Sequence, residues 1–260
     1  MDSILITGSS GQLGQTLHEL FTQKGDSYQH FDFKTSSELD ITDAEAINNI
    51  FRNGNYDYCI NCAAYTNVEQ AEKTPEPAFA VNAEGAKNLA KACKDHGVTL
   101  IHISTDYVFD GTKEGPYTVE DEPNPINEYG KSKLKGEQYI RQIGANHCII
   151  RTSWLYSKKY GHNFYRTVVK KALEGQDLHI TDEQIGCPTN TESLASYIIK
   201  NLLCGEQPFG TYHVTDGKPM TWYDFATQIL EENGLTHKVN LVLDRNYRTF
   251  AKRPKNSVLS

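Results

Sequence analysis

No apolar run in this sequence approaches the roughly 20 residues needed to cross a bilayer. Nor does the chain open with a charged region, an apolar stretch and a cleavage site. The simplest expectation is therefore a cytoplasmic protein with no membrane partner. Basic blocks are missing as well: 26 Lys and Arg stand against 33 Asp and Glu, for a formal net charge of −7, and the cations are scattered. A nucleic-acid surface needs clustered cations, so that partner is not expected either. There is no internal repeat and no low-complexity segment, and 260 residues suit one main core with a small appendage.

Cysteine is sparse. The six residues at 59, 62, 93, 148, 187 and 204 lie mostly inside apolar stretches, where a thiol serves as a small hydrophobe. A reducing compartment and free thiols are expected. Cys59 and Cys62 spell C-x-x-C, but within the strand-like run 58–63 residues three apart point to opposite faces. With no second ligand pair, no metal site is expected.

What the sequence does contain is alternation. Short apolar, β-branched runs at 3–7, 28–33, 58–61, 99–104 and 147–151 read as strands. Between them, 11–24, 43–52, 75–95 and 126–143 read as helices. Thr42 and Glu45 have capping-box spacing, Pro75 stands at a first helical position, and Gly97 closes the third helix. Thr221 and Asp224 open a late helix, a motif read as structural. Repeated strand–helix units give an α/β fold, a doubly wound parallel sheet. Past residue 152 the alternation loosens, with turn residues at 161–163 and 186–190. The expected division is a Rossmann-like dinucleotide-binding domain over 1–151 and a smaller substrate-binding lobe over 152–260, some segments of which return to the sheet.

Gly8-Ser9-Ser10-Gly11-Gln12-Leu13-Gly14 follows the first strand and opens the first helix. Glycines there allow a sharp turn, close backbone approach to a pyrophosphate and tight helix packing, while the helix N-terminus faces the anion. The spacing G-x-x-G-x-x-G is that of extended short-chain dehydrogenases. Asp32, after the second strand, is placed to accept from an adenine ribose, which favours NADH; Lys34 could instead attract a 2′-phosphate, which favours NADPH. Both cofactors stay open.

Tyr129 and Lys133 stand four apart in a helical segment, so they share a face. An ammonium beside the phenol would lower its pKa and make Tyr129 a usable proton donor near neutral pH. The fourth strand runs into Thr105 and Asp106. Ligands bind at the carboxyl ends of parallel strands, so both should project into the same crevice, where a hydroxyl can polarise a substrate carbonyl.

Taken with Leu39-Asp40-Ile41-Thr42-Asp43, Ser104-Thr105-Asp106-Tyr107-Val108-Phe109-Asp110-Gly111, Tyr129-Gly130-Lys131-Ser132-Lys133, Arg151-Thr152-Ser153-Trp154-Leu155-Tyr156 and Gly186-Cys187-Pro188-Thr189, the sequence resembles the dTDP-4-dehydrorhamnose reductases. The match runs from the first strand to the end of the chain. The resemblance implies Gly11, Gln12 and Leu13 on the pyrophosphate, Asp32 on the ribose, Asp40 and Ile41 at the adenine, and Ala64, Tyr65 and Thr66 along the cofactor cleft. It implies Tyr129 as proton donor, Lys133 on the nicotinamide ribose, and Thr105, Asp106 and Trp154 against the sugar. Asn163, Phe164 and Arg253 are candidates for the nucleoside diphosphate. The implied reaction is hydride transfer from NADPH or NADH to C4 of a nucleotide-linked 4-keto sugar. Family members usually continue some tens of residues beyond the 253–257 segment, whereas this sequence ends at Ser260. Some relatives dimerise through a glutamate-held metal, but Thr16 occupies one such position; a monomer or weak homodimer is expected.

Two other readings share the scaffold. A nucleotide-sugar epimerase or dehydratase would keep Tyr129 and Lys133, but dehydratases place Thr-Asp-Glu where this chain has Thr105-Asp106-Tyr107. A non-catalytic nucleotide-binding subunit, like the β subunit of methionine adenosyltransferase, would not need Thr105, Tyr129 and Lys133 intact.

Overall fold

The computed structural model describes residues 2–24, 29–203, 205 and 207–260. In chain order come β1 (Asp2–Thr7), α1 (Gln12–Lys24), β2 (Gln29–Lys34), α2 (Ala44–Asn53), β3 (Tyr58–Asn61), α3 (Val68–Lys73), α4 (Glu76–Phe79), α5 (Ala86–His96), β4 (Thr99–Thr105), α6 (Glu128–Ile143) and β5 (His147–Thr152). The second half contributes β6 (Leu155–Tyr156), α7 (Phe164–Leu173), β7 (Leu178–Ile180), β8 (Ile185–Gly186), β9 (Thr189–Asn190), α8 (Thr191–Tyr197), β10 (Gly210–His213), β11 (Met220–Thr221), α9 (Trp222–Glu232) and β12 (Leu241–Leu243). Tyr28, the first residue of one expected strand, lies outside the described residues, as does Cys204.

The main sheet is parallel, in the order β10-β5-β4-β3-β1-β2. The middles of its inner strands are mostly apolar because both faces are covered. Leu5, Cys59, Leu100 and Ile149 point toward α2, α5 and α6. Their neighbours Ile4, Ile6, Ile60, Ile101 and Ile150 point the other way, toward α1 and α8. Cys59 and Cys62 accordingly belong to opposite layers, and the five described cysteines are free thiols. Thr16, on α1, is buried, its hydroxyl hydrogen-bonded to that of Thr191 on α8. A third cluster, built from Tyr156, Tyr165, Val168, Phe225 and Ile229, joins α7 to α9 beside the sheet.

The structure departs from the sequence reading in two places. The continuous helix expected over 75–95 is α4 and α5 joined by a π-helical turn at 80–85, and α3 precedes it. The widened turn turns Asn82 inward, where it accepts from the Tyr65 amide (2.9 Å) and donates to the Tyr65 carbonyl (3.0 Å) and the Ser132 hydroxyl (2.9 Å). The cap of α2 is Asp43 and not Thr42: its carboxylate accepts from the Glu45 and Ala46 amides. Thr42 turns back to donate to Asp40 at 2.8 Å, because an aspartate one residue later competes successfully for the cap. The capping box of Thr221 and Asp224 forms as expected. Among the described residues, no helix is long and apolar enough to cross a membrane.

Candidate active site

The chain reverses its direction of sheet growth between β1 and β3, and a crevice opens there at the strands' carboxyl ends. Gly8 begins the turn with φ +66°, and a Cβ on it would stand 2.5 Å from the Ala63 amide nitrogen. Both its conformation and its contact with the loop after β3 therefore require glycine. Gly11, Gln12 and Gly14 line one end of a cavity of about 580 Å³. The first turn of α1 carries no carboxylate, so the helix N-terminus keeps its attraction for an anion.

At the other end stands Tyr129. Asn127 caps α6 by accepting from the Gly130 amide at 2.8 Å, and Gly130 lies so close to the Tyr107 carbonyl that a Cβ would overlap it. This contact seats Tyr129 edge-on to the Tyr107 ring, 5.9 Å between centroids, and beside the Thr105 hydroxyl. Burial raises the phenol's pKa above its ordinary value. The bond from Thr105 opposes that shift, while Asp106 and Tyr107 add to it. Lys133 is buried, its Nζ donating to the Ile103 carbonyl at 2.6 Å and lying 3.5 Å from His102 Nε2. Burial pushes it down to about 8, against the pull of Glu137 and Cys62. The expectation of a phenol made acidic by its lysine is thus corrected. Lys133 Nζ is directed at the β4 backbone, and desolvation governs the phenol.

Asp106 accepts from Thr105 (3.0 Å) and Ser153 (2.8 Å) in a buried position, and burial drives it up to about 6 despite hydrogen bonds from Ser257, Ser153 and Thr105. Thr152, at the end of β5, lines the same cavity with a buried hydroxyl that has no hydrogen-bond partner. Sequence reading did not single it out, because a threonine at a strand end carries no signal until its surroundings are known.

The far wall comes from the second half. Trp154 has a left-handed backbone (φ 48°), lies across Gly186 and stacks on Trp222 at 3.5 Å. Trp222 begins the helix whose capping motif read as structural; in the fold it also lines the cavity, with Phe164 packed against it at 4.6 Å. Asn163 caps α7 and donates to Gln12 Oε1 (3.1 Å), while Gln12 Nε2 donates to the Leu155 carbonyl (3.0 Å). Arg253 reaches the cavity but is held by the Tyr107 hydroxyl (3.0 Å) and Glu69 (2.8 Å).

Of the residues singled out in the sequence, Gly11, Gln12, Leu13, Gly14, Ala64, Thr66, Thr105, Asp106, Tyr129, Lys133, Trp154, Asn163, Phe164 and Arg253 line this one cavity. Gly8, Asp32, Asp40, Ile41 and Tyr65 do not. Ile41 is core, 3 % exposed and packed against Gly85. Asp40 is the acceptor for Thr42, and Tyr65 holds Asn82 through its backbone. Asp32 sits outside the cavity, with Lys34 on Oδ1 (2.8 Å) and Tyr56 on Oδ2 (2.5 Å). Burial would raise its carboxyl, but these hydrogen bonds outweigh burial and hold it below the ordinary value. The donor set fits a dinucleotide: a carboxylate-free helix N-terminus for phosphate, an apolar strip of Cys62, Ala64 and Ile103 for a ring, and Lys133 beside it.

The whole chain, residues 1–260, matches the family described as RmlD substrate binding domain. The chain belongs to that family. Within it, a dTDP-4-dehydrorhamnose reductase of Aggregatibacter actinomycetemcomitans is 39% identical over 272 residues, covering 100% of this chain and 90% of the relative. Spore coat polysaccharide biosynthesis protein SpsK of Bacillus subtilis is also 39% identical, over 260 residues, with 100% and 89% covered. The crystal structure of the Bacillus anthracis dTDP-4-dehydrorhamnose reductase in complex with NADP superposes with a TM-score of 0.92 at 36% identity, covering 100% of this chain and 90% of that one. The RmlD match spans residues from both halves of the cavity, the glycine turn and the Trp154 wall alike.

Proposed function

We propose that this protein reduces the C4 keto group of dTDP-4-dehydro-L-rhamnose, with NADPH or NADH, to give dTDP-L-rhamnose. The reading rests on one observation: Thr105, Tyr129 and Lys133 converge at one end of a cavity whose other end is the glycine turn of α1. The nicotinamide, when bound, supplies the hydride. Tyr129, whose raised pKa keeps it protonated, gives its proton to the oxygen that becomes the alcohol, and Thr105 hydrogen-bonds the same region. Residues 1–151 serve the dinucleotide. Residues 152–260 serve mainly the nucleotide sugar, with the stacked indoles as an apolar wall and β10 returning to the sheet. The unpartnered Thr152 hydroxyl supports a polar substrate, since a buried group without a partner is otherwise costly.

The test is direct: purified protein, reduced nicotinamide and dTDP-4-dehydro-L-rhamnose, followed by loss of nicotinamide absorbance and by identification of the sugar product. Turnover to dTDP-L-rhamnose is expected. No turnover with either cofactor would refute the assignment.

A further inference from the structure

Three polar side chains cross the middle of the sheet in a row. The register pairs Thr7 with Asn61 and Asn61 with His102, on β1, β3 and β4. All three are at most 1 % exposed. Their hydrogen bonds have a fixed direction. Asn61 Oδ1 accepts from the Thr7 hydroxyl (2.7 Å) and from the Ala63 backbone amide (3.1 Å). A backbone N–H can only donate, so the amide cannot be turned around. Asn61 Nδ2 therefore faces His102 Nδ1, 3.0 Å away, as a donor. Nδ1 must then carry the lone pair, and the neutral ring carries its proton on Nε2. That Nε2 lies 3.5 Å from Lys133 Nζ. Toward an ammonium it would be one donor facing another; toward a neutral amine it makes a hydrogen bond.

We infer that Thr7, Asn61 and His102 form a one-way hydrogen-bond chain ending as a donor on Lys133 Nζ, so that Lys133 works as a titrating amine and not as a permanent cation. The three are positioning residues, acting through Lys133. The other groups around Lys133 do not reverse this. The Ile103 carbonyl on β4 accepts from either form. Cys62, beyond β3, is a thiol whose pKa burial pushes up to about 12. Glu137, one turn along α6, is already paired with Arg151 (2.8 Å) and Arg141 (2.9 Å) and accepts from Ser104. Tyr129, one turn back, is protonated, and Asp106 lies beyond it. His102 has His147 of β5 as its other titratable neighbour, and burial holds its ring neutral.

The inference rests on the reductase reading only for its kinetic arm. Nitrogen NMR of protein labelled with ¹⁵N-histidine, with the His102 signals assigned by their loss in His102→Gln, reads the tautomer directly. A neutral Nε2–H ring near neutral pH is expected; an Nδ1–H or doubly protonated ring would overturn the proposal whatever the protein's activity. In Asn61→Asp, one carboxylate oxygen keeps Thr7 and Ala63 and the other accepts from His102 Nδ1–H, so Nε2 turns its lone pair on Lys133 and favours the ammonium. The alkaline limb of kcat/KM, and separately the alkaline loss of NADPH binding, should move up by at least about one pH unit. Roughly one unit above the wild-type midpoint, that is about fivefold more retained binding. A folded variant with the reversed tautomer and an unmoved limb would sink the idea. If the variant does not fold, the wild-type NMR still decides.

Discussion

A phenol enclosed as Tyr129 is holds its proton more tightly than one in water, because desolvation penalises the phenolate. That suits a residue that must arrive at the reaction as a donor. Tyr129→Phe keeps the ring that packs on Tyr107 and removes only the proton, so kcat should fall by at least about a hundredfold. The Kd for NADPH should stay within about twofold, as fluorescence titration would show. Thr152 makes the opposite trade. Its hydroxyl is buried without a partner, so Thr152→Val should leave the fold as stable or stabilise it by about 1 kcal/mol in denaturant titration. If the hydroxyl is completed by substrate, the same change should raise the KM for the sugar by roughly tenfold. An unchanged KM would remove Thr152 from the site.

Among the elements, α6 leaves little room for change at two of its glycines. Its first turn is pressed on the Tyr107 carbonyl through Gly130, and farther along Gly136 packs against the Asn82 carbonyl with no room for a Cβ. Between these contacts and the sheet, Glu137 is fully buried and takes two bonds from Arg151 of β5, at 2.8 and 3.1 Å. Removing one partner of a buried pair strands the other's charge. Glu137→Gln is therefore expected to cost about 3–5 kcal/mol of folding stability, read from chemical unfolding. The helix was legible from the sequence, and so was the shared face of Tyr129 and Lys133, because i and i+4 coincide on any helix. The direction in which Lys133 points was not. It depends on the Ile103 carbonyl and His102, residues of β4 some thirty positions away.

Over the whole molecule, the site exists only where the two halves meet. Gln12, read as a pyrophosphate ligand, also ties α1 to Leu155 and Asn163. Trp154 and Trp222, the chain's two tryptophans, stack 68 positions apart to make one wall. Intrinsic fluorescence should accordingly report on the cavity. Trp222→Leu, which removes the stack, should weaken nucleotide-sugar binding by about two- to tenfold, the usual worth of an aromatic pair, and leave NADPH binding unchanged. Equal losses for both ligands would mean that the wall serves the cavity as a whole and not the sugar end.

The sequence by itself determined the parallel α/β sheet, the glycine turn and the strand-end Thr105, because periodicity, turn chemistry and strand polarity are local properties written in consecutive residues. Tertiary structure alone decided that Ile41 is core, that Asp32 and Arg253 already have partners, that Thr152 has none, and that a row of hydrogen bonds across three strands faces Lys133. Those outcomes depend on burial and on which side chains meet across the sheet, and both are set only once distant segments have packed.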